Sequence, residues 1–357
     1  MRNEVVYAYP TTQNVSFAHI ARRHIEHMKS YVNVYEANVD ALNLSMWADG
    51  HTLFVHPVCY PLLNNTHQVE LARQKDYRLV GFDVADSDEL SEKACELLSR
   101  FDVICMPSQF CINVYRWSCR KWGIEATRTL LVPHGVDSYF LTDRRITSPD
   151  FRKLLEIKQN RNWQFVLFQL AHSGFRKGAD LFTKAMKIVQ AERPNAIVLL
   201  KTTENVDPYV SMVRSLKHVM IRETLPIDRY VQMFDIADVN VLTTRGGGFE
   251  HNALEGVARG VPTIVPHAHC FVEQSEYLIT VPVTDERPVV LPSNHIHVGR
   301  GWEVDVEKLA GRIIDVLDNI DEYRAKFEEH KRLIHKKYNW HRIVRNMLIA
   351  LSQYRIL

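Results

Sequence analysis

Short apolar runs recur along the chain, each followed by a stretch in which apolar positions return at helical spacing. In the first half the runs fall at 5–9, 32–35, 53–55, 79–82, 103–106 and 129–132. Strands that alternate with helices predict a parallel sheet covered on both faces. The second half repeats the scheme, with apolar runs at 164–170, 197–200, 219–222, 239–243 and 262–265 and helical spacing over 180–192, 228–236 and 252–259. The pattern therefore predicts two doubly wound domains, whose ligands sit at the carboxyl ends of the strands.

Between the two periodic regions, residues 143–151 are polar and carry a proline, which predicts a domain boundary there. After the second region come helices over 306–319 and 322–336 and an amphipathic stretch over 340–354. A length of 357 residues with 46% hydrophobic content suits two domains, each with its own core.

The charge balance is nearly even, 44 basic against 42 acidic side chains, so the overall field does not call for nucleic acid as a partner. Six cysteines without C-x-x-C spacing lie in or beside apolar runs, as expected of a reduced, cytoplasmic protein. Glu4 interrupts any apolar leader, and no run approaches the ~18–20 residues of a spanning helix. The H-A-H-C group at 267–270 and H-I-H at 295–297 fit no closed zinc spacing, so no metal site is expected.

The densest chemistry lies at 243–266, T-T-R-G-G-G-F-E-H-N-A-L-E-G-V-A-R-G-V-P-T-I-V-P. Gly246, Gly247 and Gly248 follow a strand and precede a helix, so backbone N–H groups and the helix N-terminus can meet a diphosphate. Glu255 lies one helical turn beyond Asn252, where a carboxylate can accept from the paired hydroxyls of a ribose. A second cationic loop, F-Q-L-A-H-S-G-F-R-K-G-A-D, places Arg176 and Lys177 just before another helix. Two cations converging on a helix N-terminus suit a departing nucleoside diphosphate.

These motifs, in the order V-P-H-G-V-D at 132–137, the R-K-G loop, the G-G-G-F-E-H-N-A-L-E-G helix, the R-G-V-P return and Y-N-W at 338–340, resemble the retaining glycosyltransferases of family 4. The resemblance implies an α/β, GT-B architecture: two Rossmann-like domains facing a central cleft, with a last helix crossing back to the first. The acceptor domain would comprise 1–145 and 338–357, and the donor domain 146–337. It implies a metal-independent, hexosyltransferase-type enzyme that needs no cofactor beyond a nucleotide-sugar co-substrate. The acceptor would be a sugar, a lipid-linked molecule or a protein, not nucleic acid. The first helix, 16–29, would be the place for any peripheral membrane contact.

By the same resemblance Arg176 and Lys177 hold the diphosphate, Gly247, Gly248 and Phe249 form the turn beside it, Leu225 marks the base-holding backbone and Glu255 takes the ribose. Two departures stand out. The position eight before Glu255, where the family places a sugar-contacting glutamate, is Gly247, and Glu250 stands where the family often has glycine. Ala171 and His172 occupy the place of a Gly-Arg pair, and His172 or, in preference, Arg176 would be the second phosphate cation. Glu250 or Asn252 would then approach the sugar. Catalytic candidates are Glu250 together with Asp83 and His56, which end strands of the first domain. The missing glutamate also motivates an alternative, a non-catalytic relic that binds a nucleotide sugar or a protein partner.

Overall fold

A computed structural model of the chain describes residues 4–203 and 207–357. Its contacts divide the chain into two compact units, one of Met1–Gly135, Leu291–Gly299 and Tyr338–Leu357, the other of Val136–Val290 and Arg300–Lys337.

The first unit is built on β1 (Glu4–Tyr9), β2 (Asn33–Asn38), β3 (Thr52–Val55), β4 (Arg78–Phe82), β5 (Val103–Met106) and β6 (Arg128–Leu131). They form one parallel sheet in the order β2-β1-β3-β4-β5-β6. Helices α1 (Ser16–Met28), α2 (Cys59–Leu62), α3 (His67–Gln74), α4 (Glu92–Ser99) and α5 (Gln109–Trp122) lie between the strands in sequence. Ser91 and Ser108 start α4 and α5 as N-caps, their hydroxyls accepting from Ala94 and Cys111 amides. Buried β-branched and aromatic side chains fill both faces of the sheet, as expected of parallel strands.

The second unit opens with α6 (Pro149–Asn160) and continues β7 (Gln164–Leu170), α7 (Ala179–Glu192), β8 (Ala196–Thr202), α8 (Pro208–Val213), β9 (His218–Arg222), α9 (Ile227–Ile236), β10 (Val239–Val241), α10 (His251–Ala258), β11 (Thr263–Pro266), β12 (Ile279–Val281), α11 (Val306–Asp318) and α12 (Ile320–Lys337). Its parallel sheet runs β12-β11-β10-β7-β8-β9. The chain reverses direction across the sheet between β7 and β10, the point where a doubly wound sheet binds its ligand.

The last helix, α13 (Trp340–Gln353), packs in the first unit against α1, with Ile343, Val344, Met347 and Leu351 buried among β1 and α1 residues. The Trp340 ring presses on the backbone of Gly135, where a Cβ would lie 2.5 Å from a ring carbon. The P-H-G-V-D and Y-N-W motifs thus meet each other.

The division departs from the predicted boundary in two ways. It falls after Gly135, because residues 140–148 are clasped by the second unit. Arg259 donates to the Phe140 and Thr142 carbonyls, Arg144 to the Arg259 carbonyl, and the Gln232 side chain accepts from the Thr147 and Ser148 amides. Exposed polar side chains alternate here with backbone groups held by the second unit. Residues 291–299 also join the first unit, where Leu90 and His297 form an antiparallel bridge and Ser91 donates its hydroxyl to the His295 carbonyl. Three elements of the second unit had no predicted counterpart: α6, which overlaps the expected linker, the six-residue α8, and β12, only three residues long.

Candidate functional site

Two loops at the carboxyl ends of β7 and β10 form the site. The first turns tightly, with the Lys177 amide bonded to the Ser173 carbonyl at 2.9 Å and the Ala179 amide to the Gly174 carbonyl at 3.1 Å. Gly178 then starts α7 at φ +67, a conformation that favours glycine, and an added Cβ would collide with the Thr243 carbonyl. That contact brings the two loops together. The Thr243 hydroxyl lies 2.9 Å from both the Lys177 and Gly178 carbonyls, and the Arg245 amide donates to the Arg176 carbonyl at 2.7 Å.

Arg245 completes the staple. Its guanidinium is 2% exposed and binds both oxygens of Asp180 at 2.8 Å, the Phe175 carbonyl at 2.6 Å and Glu303 at 2.7 Å. His269 supports the same loop through its Nε2, 3.0 Å from the Thr244 carbonyl. Sequence reasoning did not single out Arg245. The available signal was a charged residue at the end of an otherwise apolar strand.

Glu250 is the N-cap residue of α10, yet its side chain does not cap the helix. It turns back across the glycine run. One carboxylate oxygen lies 3.3 Å from Arg176 Nη1 and the other 2.5 Å from Lys177 Nζ. Arg176 also donates to the Gly246 carbonyl at 3.0 Å. A Cβ on Gly247 would lie 2.5 Å from Glu250 Oε1. The carboxylate therefore occupies the space over Gly247, the position at which the expected glutamate is missing. His172 is exposed and bonded to its neighbour Ser173, so Arg176 is the cation that joins Lys177.

One turn into α10, Glu255 Oε2 accepts from the Tyr230 hydroxyl at 2.9 Å, and the same hydroxyl lies 2.8 Å from Gln169 Oε1. Burial raises the Glu255 carboxyl to about 7, opposed by the Tyr230 hydrogen bond and helped by Asp137. Tyr230 lies far from Glu255 in sequence, and nothing in the local pattern pairs them. Asn252 is partly buried on the first turn of α10, and its carbonyl accepts from Asn240 at 2.8 Å. The Phe249 ring packs edge-on to His251 at 5.5 Å, Gly248 is buried in the turn, and Leu225 lies in the loop between β9 and α9. Every donor-side residue thus belongs to the second unit. Arg176, Lys177, Gly247 and Glu250 come into direct contact, with Glu255 on the helix that follows.

Asp83 and His56 end β4 and β3 of the first unit and are each 2% exposed. Asp83 accepts from the Cys59 amide at 2.7 Å and the Val84 amide at 2.8 Å, which ties the end of β4 to the first turn of α2. Burial raises its carboxyl and these two amides oppose the rise. His56 Nδ1 is 3.2 Å from the Tyr7 hydroxyl, itself 2.8 Å from His24 Nδ1. Burial holds His56 well below its usual range, and His24 adds to this. Both candidates are engaged in structural hydrogen bonds.

On α1, Arg22 donates to the Thr11 carbonyl and lies over the Tyr9 ring, while Lys29, just past its end, pairs with Glu36. Among the described residues no helix is long and apolar enough to cross a membrane, and no group of three or more His, Cys, Asp or Glu is arranged for a metal ion.

Residues 221–347, which run from the end of β9 into α13 and include the glycine run, match the model of family 4 glycosyltransferases in conflict systems. Over 365 residues the chain is 26% identical to the uncharacterized protein 356 of Sulfolobus islandicus rod-shaped virus 1, covering 99% of both. It is 23% identical over 290 residues to the putative glycosyltransferase 45 of Sulfolobus islandicus filamentous virus, covering 79% of this chain and 76% of that protein. Among solved structures it resembles the E. coli trehalose-6-phosphate protein bound with UDP-2-fluoro glucose, with a TM-score of 0.72, 12% identity, and 98% of this chain and 99% of that one covered. Sucrose-phosphate synthase from Thermosynechococcus elongatus gives 0.70 at 15% identity, with 99% of each covered. A trehalose-6-phosphate synthase studied for glycosyltransfer with retention gives 0.71 at 11%, with 98% and 99% covered. The structural neighbours establish the fold, and the family and viral matches carry its class: the chain is a GT-B glycosyltransferase that resembles family 4.

Proposed function

We propose that the chain transfers a hexosyl group, with retention of configuration, from a nucleoside diphosphate sugar to a sugar-containing acceptor. One observation carries this reading. Arg176 and Lys177 converge with the glycine run and Glu250 at the carboxyl ends of neighbouring strands, and Glu255 follows one turn into α10. Lys177, Arg176 and the amides of Gly247 and Gly248 would receive the diphosphate. Glu255 would accept from ribose hydroxyls, the backbone at Leu225 would meet the base, and Glu250 over Gly247 would meet the transferred sugar, with Asn252 beside it.

Two side-chain cations and the N-terminus of α10 stabilise the charge that grows on a departing diphosphate, which is the task a metal ion performs in other transferases. The chemistry proposed is therefore metal-independent. Retention fits a site in which the acceptor hydroxyl attacks from the face the phosphate leaves and that phosphate takes its proton, so the protein mainly positions and stabilises. Neighbours bound with UDP-2-fluoro glucose and studied for transfer with retention support a nucleotide-sugar donor and retention. Asp83 and His56 are proposed as acceptor-side groups that shape the strand ends.

A thermal-shift panel of UDP, GDP, ADP and their sugar conjugates tests the reading, since selective binding raises the melting temperature by mass action. A shift with one nucleotide that persists in EDTA supports it. Donor binding without transfer or hydrolysis would favour the relic instead.

A further inference from the structure

Glu250 is ion-paired in a way that a sugar contact alone does not require. Its two oxygens engage Arg176 and Lys177 separately, and the residue is only 6% exposed. These are the cations that would receive a diphosphate. The carboxylate cancels one of the two positive charges they offer, and it does so where water screens little.

We propose that Glu250 is an exchangeable counter-ion that sets the preference of the site for an intact nucleotide sugar over the nucleoside diphosphate product. The proposal rests on the donor-site reading above. A diphosphate held by Arg176 and Lys177 competes for donors that Glu250 uses and repels its charge. A buried carboxylate that loses its cations must find other donors or remain as a costly unpaired charge. The intact donor supplies them. Its sugar hydroxyls adjoin the diphosphate, and Glu250 Oε1 already lies over Gly247, within 2.5 Å of where a side chain there would begin. The product has no sugar, so nothing replaces the lost ion pairs. Return of the carboxylate to Arg176 and Lys177 then displaces the nucleoside diphosphate. Glu250 itself makes and breaks no covalent bond in this exchange. Gly247 is part of the device, because any side chain at that position would meet the carboxylate.

The test is a calorimetric titration of the full chain with UDP, GDP and ADP and with the matching nucleotide sugars, for the native protein, Glu250→Gln and Glu250→Ala. Both variants remove the charge, and either one decides the matter if the other folds poorly in melting curves. The expected result is roughly ten-fold tighter binding of the bare nucleoside diphosphate, with a smaller gain or a loss for the nucleotide sugar. Unchanged or weaker diphosphate binding in both variants overturns the proposal and makes Glu250 a simple organiser of the two cations. Lys177→Ala separates the two layers. If it weakens diphosphate binding while the Glu250 variants leave it unaltered, the donor site stands and the counter-ion role falls. If it leaves nucleotide binding unaltered, or if no nucleotide binds, the donor-site reading falls and the exchange with it.

Discussion

Arg245 and Asp180 are joined by two parallel hydrogen bonds of 2.8 Å, which fasten the glycine run after β10 to the first turn of α7. A planar guanidinium suits this fork as an ammonium cannot. Arg245→Met would leave Asp180 and Glu303 without their buried partner. The expected loss is about 3 kcal/mol of stability, read from denaturant melts, with a parallel fall in nucleotide affinity. Arg245→Lys should recover part of the stability and less of the affinity. An Arg245→Met protein with native stability and affinity would remove Arg245 from the account.

Arg259 performs a similar task elsewhere in the second unit. It is fully buried, pairs with both oxygens of Asp235 at 2.8 and 2.9 Å, and holds the Phe140 and Thr142 carbonyls. Arg259→Met is expected to cost about 3 kcal/mol and to expose residues 140–148 to proteolysis. Limited digestion followed by mass spectrometry checks where the chain is cut. Unchanged resistance in that stretch would show that the clasp does not order it.

Glu255 predicts a pH dependence of stability. Burial raises its carboxyl from an ordinary 4.5 to about 7, so the folded state keeps a proton that the unfolded chain has already released. The stabilising contribution of this group is present below the unfolded value and is lost as pH rises through the folded one. Glu255→Gln keeps the shape and removes the titration. Its melting temperature should match the native protein near about pH 4 and exceed it near about pH 8. A difference that does not change with pH would contradict the assignment.

Donor binding should draw on the same proton. Ribose hydroxyls donate to an ionised carboxylate and so favour its charged form. Nucleotide binding at neutral pH is then expected to release protons from the native protein and fewer from Glu255→Gln. Calorimetry in buffers of different ionisation enthalpy reads this directly, and equal release from both proteins would place the ribose elsewhere.

Much of the fold was legible because parallel strands and the helices between them leave different spacings in the chain. The eleven apolar runs fall on strands of the two sheets, and only β12, three residues long, had no run of its own. The linker was misplaced because Arg144 and the amides of Thr147 and Ser148 bond to Arg259 and Gln232, partners far from them in sequence. The site was legible as loops, in the R-K-G and G-G-G motifs. Its wiring was not. That Glu250 turns back over Gly247, that Tyr230 meets Glu255 and that Arg245 reaches Asp180 are consequences of how β7, β9 and β10 are ordered in the sheet. Local sequence carries no record of such pairings.

The central claim is that Arg176, Lys177 and the glycine run hold a nucleoside diphosphate sugar. Isothermal titration of the native protein and of Lys177→Ala with UDP-, GDP- and ADP-sugars tests it most directly. The account predicts that one nucleotide class binds the native protein and that Lys177→Ala weakens it by roughly ten-fold or more, since a charge-assisted hydrogen bond to phosphate contributes about 1.5–3 kcal/mol. Equal affinity in the two proteins, or no binding of any nucleotide sugar, would contradict it.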